Sequence, residues 1–168
     1  MSHFNVTLGL SNPKSPTNVG AVLRAAGCFQ ADSILYTGVR YDRAAAFCTD
    51  TQSQSKNIPL AGVSCLLESA PRDAKIVVIE LAENAESLAS FVHPDNAFYI
   101  FGPEDGTVKQ KVVNNADSVV YIPTHGCLNL AATVNIVLYD RLAKSHQPKE
   151  GNELIRQSRD MNNRLKVK

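Results

Sequence analysis

The 168-residue sequence has almost no net charge. Its formal balance is +1, so no global basic field advertises a polyanionic partner. Its four cysteines, Cys28, Cys48, Cys65 and Cys127, are widely separated. Without a C-x-x-C pair they lack the ligand spacing of a zinc site, and free thiols in a reducing, cytoplasmic setting are expected. No run approaches the roughly 20 apolar residues needed to cross a bilayer. The start, MSHFNVTLGL, has no charged segment leading into a long apolar stretch, so no signal peptide is expected. Neither a metal nor a membrane partner is expected, and no internal repeat, low-complexity tract or second domain is visible.

What is present fits an ordinary globular chain. Hydrophobic residues make up 44% and charged residues 20%, and this length favours one domain with a sizeable core. The charge is unevenly placed. Residues 141–168 hold eight Lys/Arg against three Asp/Glu, so a basic C-terminal stretch follows a mildly acidic body. The expected organisation is a main unit over residues 1–147 and a basic helix over 148–168 that belongs to the same domain.

Short apolar runs alternate with helical patterns. Strands are expected at Val6–Leu10, 34–36, 75–81, Ala97–Phe101 and 119–122. Residues 18–28 place Val19, Val22, Leu23 and Ala26 at helical spacing, with Thr17 as N-cap. Shorter helices are expected at 66–70, 85–91 and 108–115. Residues 40–55 are expected to be part helix and part loop. A long helix over 129–144 offers Ala132, Ile136 and Leu142 for one face, and a polar helix over 150–165 follows Pro148. This alternation implies an α/β fold, a mostly parallel sheet covered by helices on both faces. Ligands of such sheets sit beyond the carboxyl ends of the strands. Three loops rich in Gly, Pro and polar residues, 11–20, 102–107 and 123–129, therefore form the candidate site.

Those loops carry three motifs. The first is NPKSPTNVGAVLRAAGCF, with Asn18, Gly20 and Arg24. The second is YIFGPEDG, with Gly102, Pro103, Glu104 and Gly106. The third is YIPTHGCLNLAATVNIVLYDRL, with Ile122, Pro123, Leu128 and Asn129. In order and spacing they resemble the signatures of the SpoU/TrmH family of the SPOUT superfamily, over most of the chain. The resemblance implies a C-terminal deep trefoil knot, a rare exception to the rule against threading. It also implies a homodimer whose site draws on both subunits, S-adenosylmethionine as cofactor, and methylation of a ribose 2′-hydroxyl in tRNA or rRNA. The family's serine before Leu-Asn is Cys127 here, a weaker hydrogen-bond partner.

A ribose hydroxyl is a poor nucleophile, so positioning and stabilisation of a developing alkoxide carry the reaction. Arg24, a fixed forked cation that hardly deprotonates, suits orientation and charge stabilisation at a ribose or phosphate oxygen. Asn18 can fix Arg24 or the third loop, or cap its helix. Gly20 permits close packing at the helix start. Glu104 is an acceptor that can orient Arg24. Asn129 either caps the last helix or shapes the loop that grips the cofactor. By resemblance, the cofactor lies against Leu81, Ala82, Phe101, Gly102, Ile122, Pro123, Cys127, Leu128 and Asn129. GPEDGT looks like a phosphate cradle but lacks the Lys-Ser/Thr of a P-loop.

RNA is expected at Lys14, Arg24, Arg40 and Arg43 and at the tail cations, Arg156 and Arg159 foremost. Phosphate contacts of this kind give salt-dependent affinity without sequence information. Two other readings compete: a non-catalytic RNA-binding protein of the same fold, and a flavodoxin-like nucleotide-binding domain. The third motif, ahead of a C-terminal helix, speaks against the second of these.

Overall fold

The computed structural model describes residues 5–46, 58–145 and 150–168. Seven strands form one sheet: β1 (Val6–Leu10), β2 (Ser33–Tyr36), β3 (Leu60–Gly62), β4 (Lys75–Ile79), β5 (Glu86–Ser87), β6 (Ala97–Phe101) and β7 (Ser118–Tyr121). Their order is β3-β2-β1-β6-β4-β7-β5, and each neighbouring pair is parallel. β1 and β6 lie at the centre and are buried at every position, as a sheet covered on both faces requires. Gly9 serves this packing. A Cβ there would stand 2.9 Å from the Phe98 ring.

Helix α1 (Pro16–Cys28) and helix α4 (Leu130–Ala143) pack on each other over one face. Their core joins Val19, Val22, Leu23, Val134, Val137 and Leu138 to Leu8, Tyr99 and Phe101 of the strands. The short helix α2 (Arg40–Ala45) contributes Tyr41 to the same side. The other face is thinner. Helix α3 (Gln110–Asn114) and the segment 63–74 cover Val78, Phe98 and Ile100.

Several expectations are corrected. α1 begins at Pro16, and its cap is Ser15, whose Oγ accepts the Asn18 N–H at 3.3 Å, rather than Thr17. Proline at the first helical position has no N–H to lose and a preset φ. The helix expected at 66–70 is a single turn, because Pro71 restricts the residue before it and ends the helix. The helix expected at 85–91 is replaced by strand β5, which docks on β7, with Leu88 N–H then bonded to the Tyr121 carbonyl. β3 was not expected at all. It is an edge strand of three residues without an apolar run.

On α4 the inward face is Leu130, Ala131, Val134, Val137 and Leu138. Ile136 (37% exposed) and Leu142 (39%) look outward with Tyr139 (63%). The final helix is only α5 (Asn152–Ser158), exposed all round. A helix so short has little stability of its own. The expected loop over 46–55 lies mostly outside the described residues, as does Pro148. No helix among the described residues is long and apolar enough to cross a membrane.

Candidate cofactor and RNA site

A cavity of about 350 Å³ opens at the carboxyl ends of β4, β6 and β7. That volume is at the small end of the range for small-molecule sites. Its position, beside the β1–β6 junction where strand order reverses, is where open α/β sheets hold ligands. β4 supplies Ile79, Glu80 and Leu81; β6 supplies Phe101, Gly102, Pro103, Glu104 and Gly106. The loop after β7 supplies Ile122, Thr124, Gly126, Cys127, Leu128 and Asn129, and α4 adds Leu130 and Thr133. Seven of the nine expected cofactor neighbours therefore border one space. Ala82 and Pro123 do not line it, although each follows a residue that does.

The walls are tied by side chains. Glu104 Oε2 accepts the Lys14 N–H at 3.1 Å, and Oε1 accepts the Ser15 N–H at 3.1 Å and Asn18 Nδ2 at 3.2 Å. Asn18 Oδ1 in turn accepts Asn129 Nδ2 at 3.1 Å. Asn129 Oδ1 caps α4 through the N–H groups of Ala131 and Ala132, at 2.8 and 3.3 Å. Asn129 thus both caps the helix and joins the loops. Glu104, Asn18 and Asn129 form one relay through all three motifs. Burial pushes the Glu104 carboxyl up, yet backbone N–H donors and the Asn18 amide outweigh it, and its pKa lies below the ordinary value. These donors occupy Glu104, and Arg24 is not among them.

Arg24 stands exposed on the outer stripe of α1, with Thr17, Ala21 and Cys28. It does not line the cavity. Gly20, expected to allow close packing, has nothing within 4 Å of an added Cβ, so within one chain the space beside it is open. Lys14 and Arg40 flank the site but already face Asp105. Arg40 Nη1 meets both carboxylate oxygens at 2.9 Å, and Lys14 Nζ lies at 3.4 Å. Arg40 also donates to the Asn12 carbonyl. Arg43 is exposed on α2, Arg156 lies on α5, and Arg159 follows it.

The sequence reading missed Glu80, Thr124 and Thr133. For Glu80 a signal existed, since it is the charged residue at the end of the buried run KIVVIEL. Its Oε1 accepts the Leu81 N–H at 2.9 Å and its Oε2 the Val108 N–H at 3.0 Å. Among the described residues, Glu80 and Glu104 are the only charged ones lining the cavity. An acidic lining repels phosphate and suits a cationic ligand, so the phosphate-cradle likeness of GPEDGT fails on charge.

Fold and site together define an α/β protein with a small-ligand pocket at its strand ends, lined by two carboxylates. The chain belongs to the SpoU rRNA methylase family, whose sequence model matches residues 5–139. Among solved structures it is similar to a TrmH/SpoU tRNA-modifying enzyme of A. aeolicus, with 21% identity and a TM-score of 0.72 over 92% of this chain and 85% of that one. It is also similar to the SpoU methyltransferase AviRb of Streptomyces viridochromogenes in complex with AdoMet, with 19% identity and a TM-score of 0.68 over 84% of this chain and 58% of that one. A third similar structure concerns 2-OH methylation of C/U34 on tRNA, with 23% identity and a TM-score of 0.63 over 83% of this chain and 95% of that one. At such identities the likeness speaks for the fold. The chain spans only 58% of the length of AviRb and 61% of that of a similar TrmH-family protein from Porphyromonas gingivalis. No curated protein sequence matches it.

Proposed function

We propose that the protein is an S-adenosylmethionine-dependent RNA methyltransferase acting on a ribose 2′-hydroxyl of tRNA or rRNA, as a homodimer in the cytoplasm. The observation that carries this reading is the relay Glu104–Asn18–Asn129, which draws three separated motifs around one acidic cavity. The residues fit the cofactor. Apolar Ile79, Phe101, Ile122 and Leu130 can receive an adenosine, and the two carboxylates suit its positive charge. When bound, the cofactor supplies an electrophilic methyl group on a sulfonium.

The chain's residues do the rest. The loops would hold the donor, and a bound cofactor would offer its methyl group to a hydroxyl positioned beside it. Arg24 orients the ribose or its phosphate and stabilises the oxygen as it loses its proton. The two outward faces support pairing of subunits. The outer stripe of α1 places Arg24 on open surface, and α4, which packs on α1, turns Ile136 and Tyr139 to solvent. In the proposed dimer, Arg24 of one subunit completes the cavity of the other. The proposed fold includes a deep C-terminal trefoil knot, supported by membership of the SpoU rRNA methylase family. Residues 148–168, in one domain with the rest, supply Arg156 and Arg159 as phosphate contacts alongside Arg43, with Lys14 and Arg40 available if a phosphate displaces Asp105.

The test is incubation of the purified protein with RNA from cells lacking it and labelled cofactor, followed by nucleoside mass spectrometry. Label in a 2′-O-methyl nucleoside is expected. Base methylation would discard the ribose assignment, and cofactor and RNA binding without transfer would favour the non-catalytic reading.

A further inference from the structure

We propose that Glu80, which lies outside all three motifs, sets the preference of the cavity for the cationic methyl donor over its neutral thioether product. The proposal rests on the methyltransferase reading above.

Glu80 directly follows β4, which lies between β6 and β7 in the sheet, and borders the cavity. Its carboxylate is held at both oxygens, by the Leu81 N–H at 2.9 Å and the Val108 N–H at 3.0 Å. The side chain thus spans two walls, the end of β4 and the loop after β6. Gly102 leaves it room, since a Cβ there would stand 3.3 Å from Glu80 Oε2 and from Val108 Cγ2. A carboxylate offers about four acceptor positions, and two N–H donors leave it capacity to spare.

The charge matters as much as the clamp. Among the described residues, no Lys, Arg or His lines the cavity, and Glu104 is its only other charged residue. The methyl donor and the demethylated product share adenosine, ammonium and carboxylate. They differ by one methyl and one positive charge. A purely mechanical clamp at residue 80 holds the walls equally for both ligands, whereas a fixed negative charge favours the sulfonium. Glu104 is spent on the N–H groups of Lys14 and Ser15 and on Asn18, which leaves Glu80 as the carboxylate outside the relay.

Calorimetric titration of the full chain with S-adenosylmethionine and with S-adenosylhomocysteine tests this. Glu80→Gln is expected to shift the ratio of the two dissociation constants about tenfold toward the neutral compound, the scale of one unit charge at short range. Glu80→Asp keeps the charge and is expected to keep the ratio, even where both affinities fall. Thermal melts check folding, and Glu80→Ala replaces the amide variant if that one does not fold. Equal losses for both ligands in the uncharged variant would overturn the proposal and leave Glu80 a clamp. So would a shifted ratio in Glu80→Asp. A wild-type protein that binds neither compound would remove the methyltransferase reading and this proposal with it.

Discussion

His93 shows how one buried side chain can report on the whole fold. Its ring is 5% exposed, with Nε2 at 2.9 Å from Asp140 Oδ2 and Nδ1 at 2.6 Å from Tyr99 Oη. A carboxylate only accepts, so Nε2 carries the proton and Nδ1 accepts from the Tyr99 hydroxyl. That hydroxyl oxygen accepts Arg141 Nη1 at 3.1 Å, and Lys144 pairs with Asp140 at 2.7 Å. Burial lowers the imidazole pKa below its ordinary 6.5. Asp140 works against the shift, and Arg141 and Lys144 add to it. The unfolded chain therefore takes up this proton at higher pH than the folded one. The contribution is whole above about 6.5 and is lost as pH falls below it. The melting temperature is expected to drop between about pH 7 and about pH 5. His93→Gln is expected to be less stable at neutral pH and to show a shallower decline. Equal slopes for the two proteins, in melts across that range, would show that the imidazole is not responsible.

At the scale of elements, α4 joins stability to the site through its N-cap residue. Asn129 closes two helix N–H groups with Oδ1 and reaches Asn18 with Nδ2. Asn129→Ala removes both functions, and loss of the cap costs about 1 kcal/mol. Asn129→Asp keeps the capping oxygen but sets an acceptor against Asn18 Oδ1. The alanine variant is expected to melt lower and to bind cofactor more weakly. The aspartate variant is expected to melt near wild type and to lose cofactor affinity alone. Melting curves and cofactor titrations of the pair separate the roles, and parallel losses in both variants would merge them.

The same helix shows what the sequence made legible. Its extent could be read from spacing, and β1 and β6 from their mainly apolar runs, VTLGL and AFYIF, as strands buried on both faces tend to show. Which face of α4 turns inward could not be read. The helix is apolar on two sides, and only packing against α1 selects Val134, Val137 and Leu138. β5 escaped because its two polar residues, Glu86 and Ser87, pair through the backbone alone. The three motif loops were legible through Gly, Pro and Asn at strand ends, but Glu80 was not singled out because it lies in no motif.

For the molecule as a whole, the separation of Arg24 from the cavity is the feature that decides how it works. Among the described residues the cavity is lined by two carboxylates and no cation, while the cation proposed for the hydroxyl lies exposed on α1. Within one chain, the residues proposed to hold the donor line the cavity, and the cation proposed for the acceptor does not. A symmetric dimer resolves this if each Arg24 serves its partner's cavity. Arg24→Ala is expected to abolish transfer while cofactor affinity stays within about threefold of wild type, since only the transition state loses the cation. Gly102→Leu is expected to abolish transfer for a different reason, because its side chain crowds Glu80 and Val108 and fills the cavity. Neither variant alone methylates RNA. Mixed and allowed to exchange subunits, they form heterodimers in which one cavity is intact and is served by an intact Arg24. Statistical mixing then restores about a quarter of wild-type activity. Were Arg24 to act on its own subunit's cavity, both sites of every heterodimer would carry one defect, and the mixture would stay as inactive as its components.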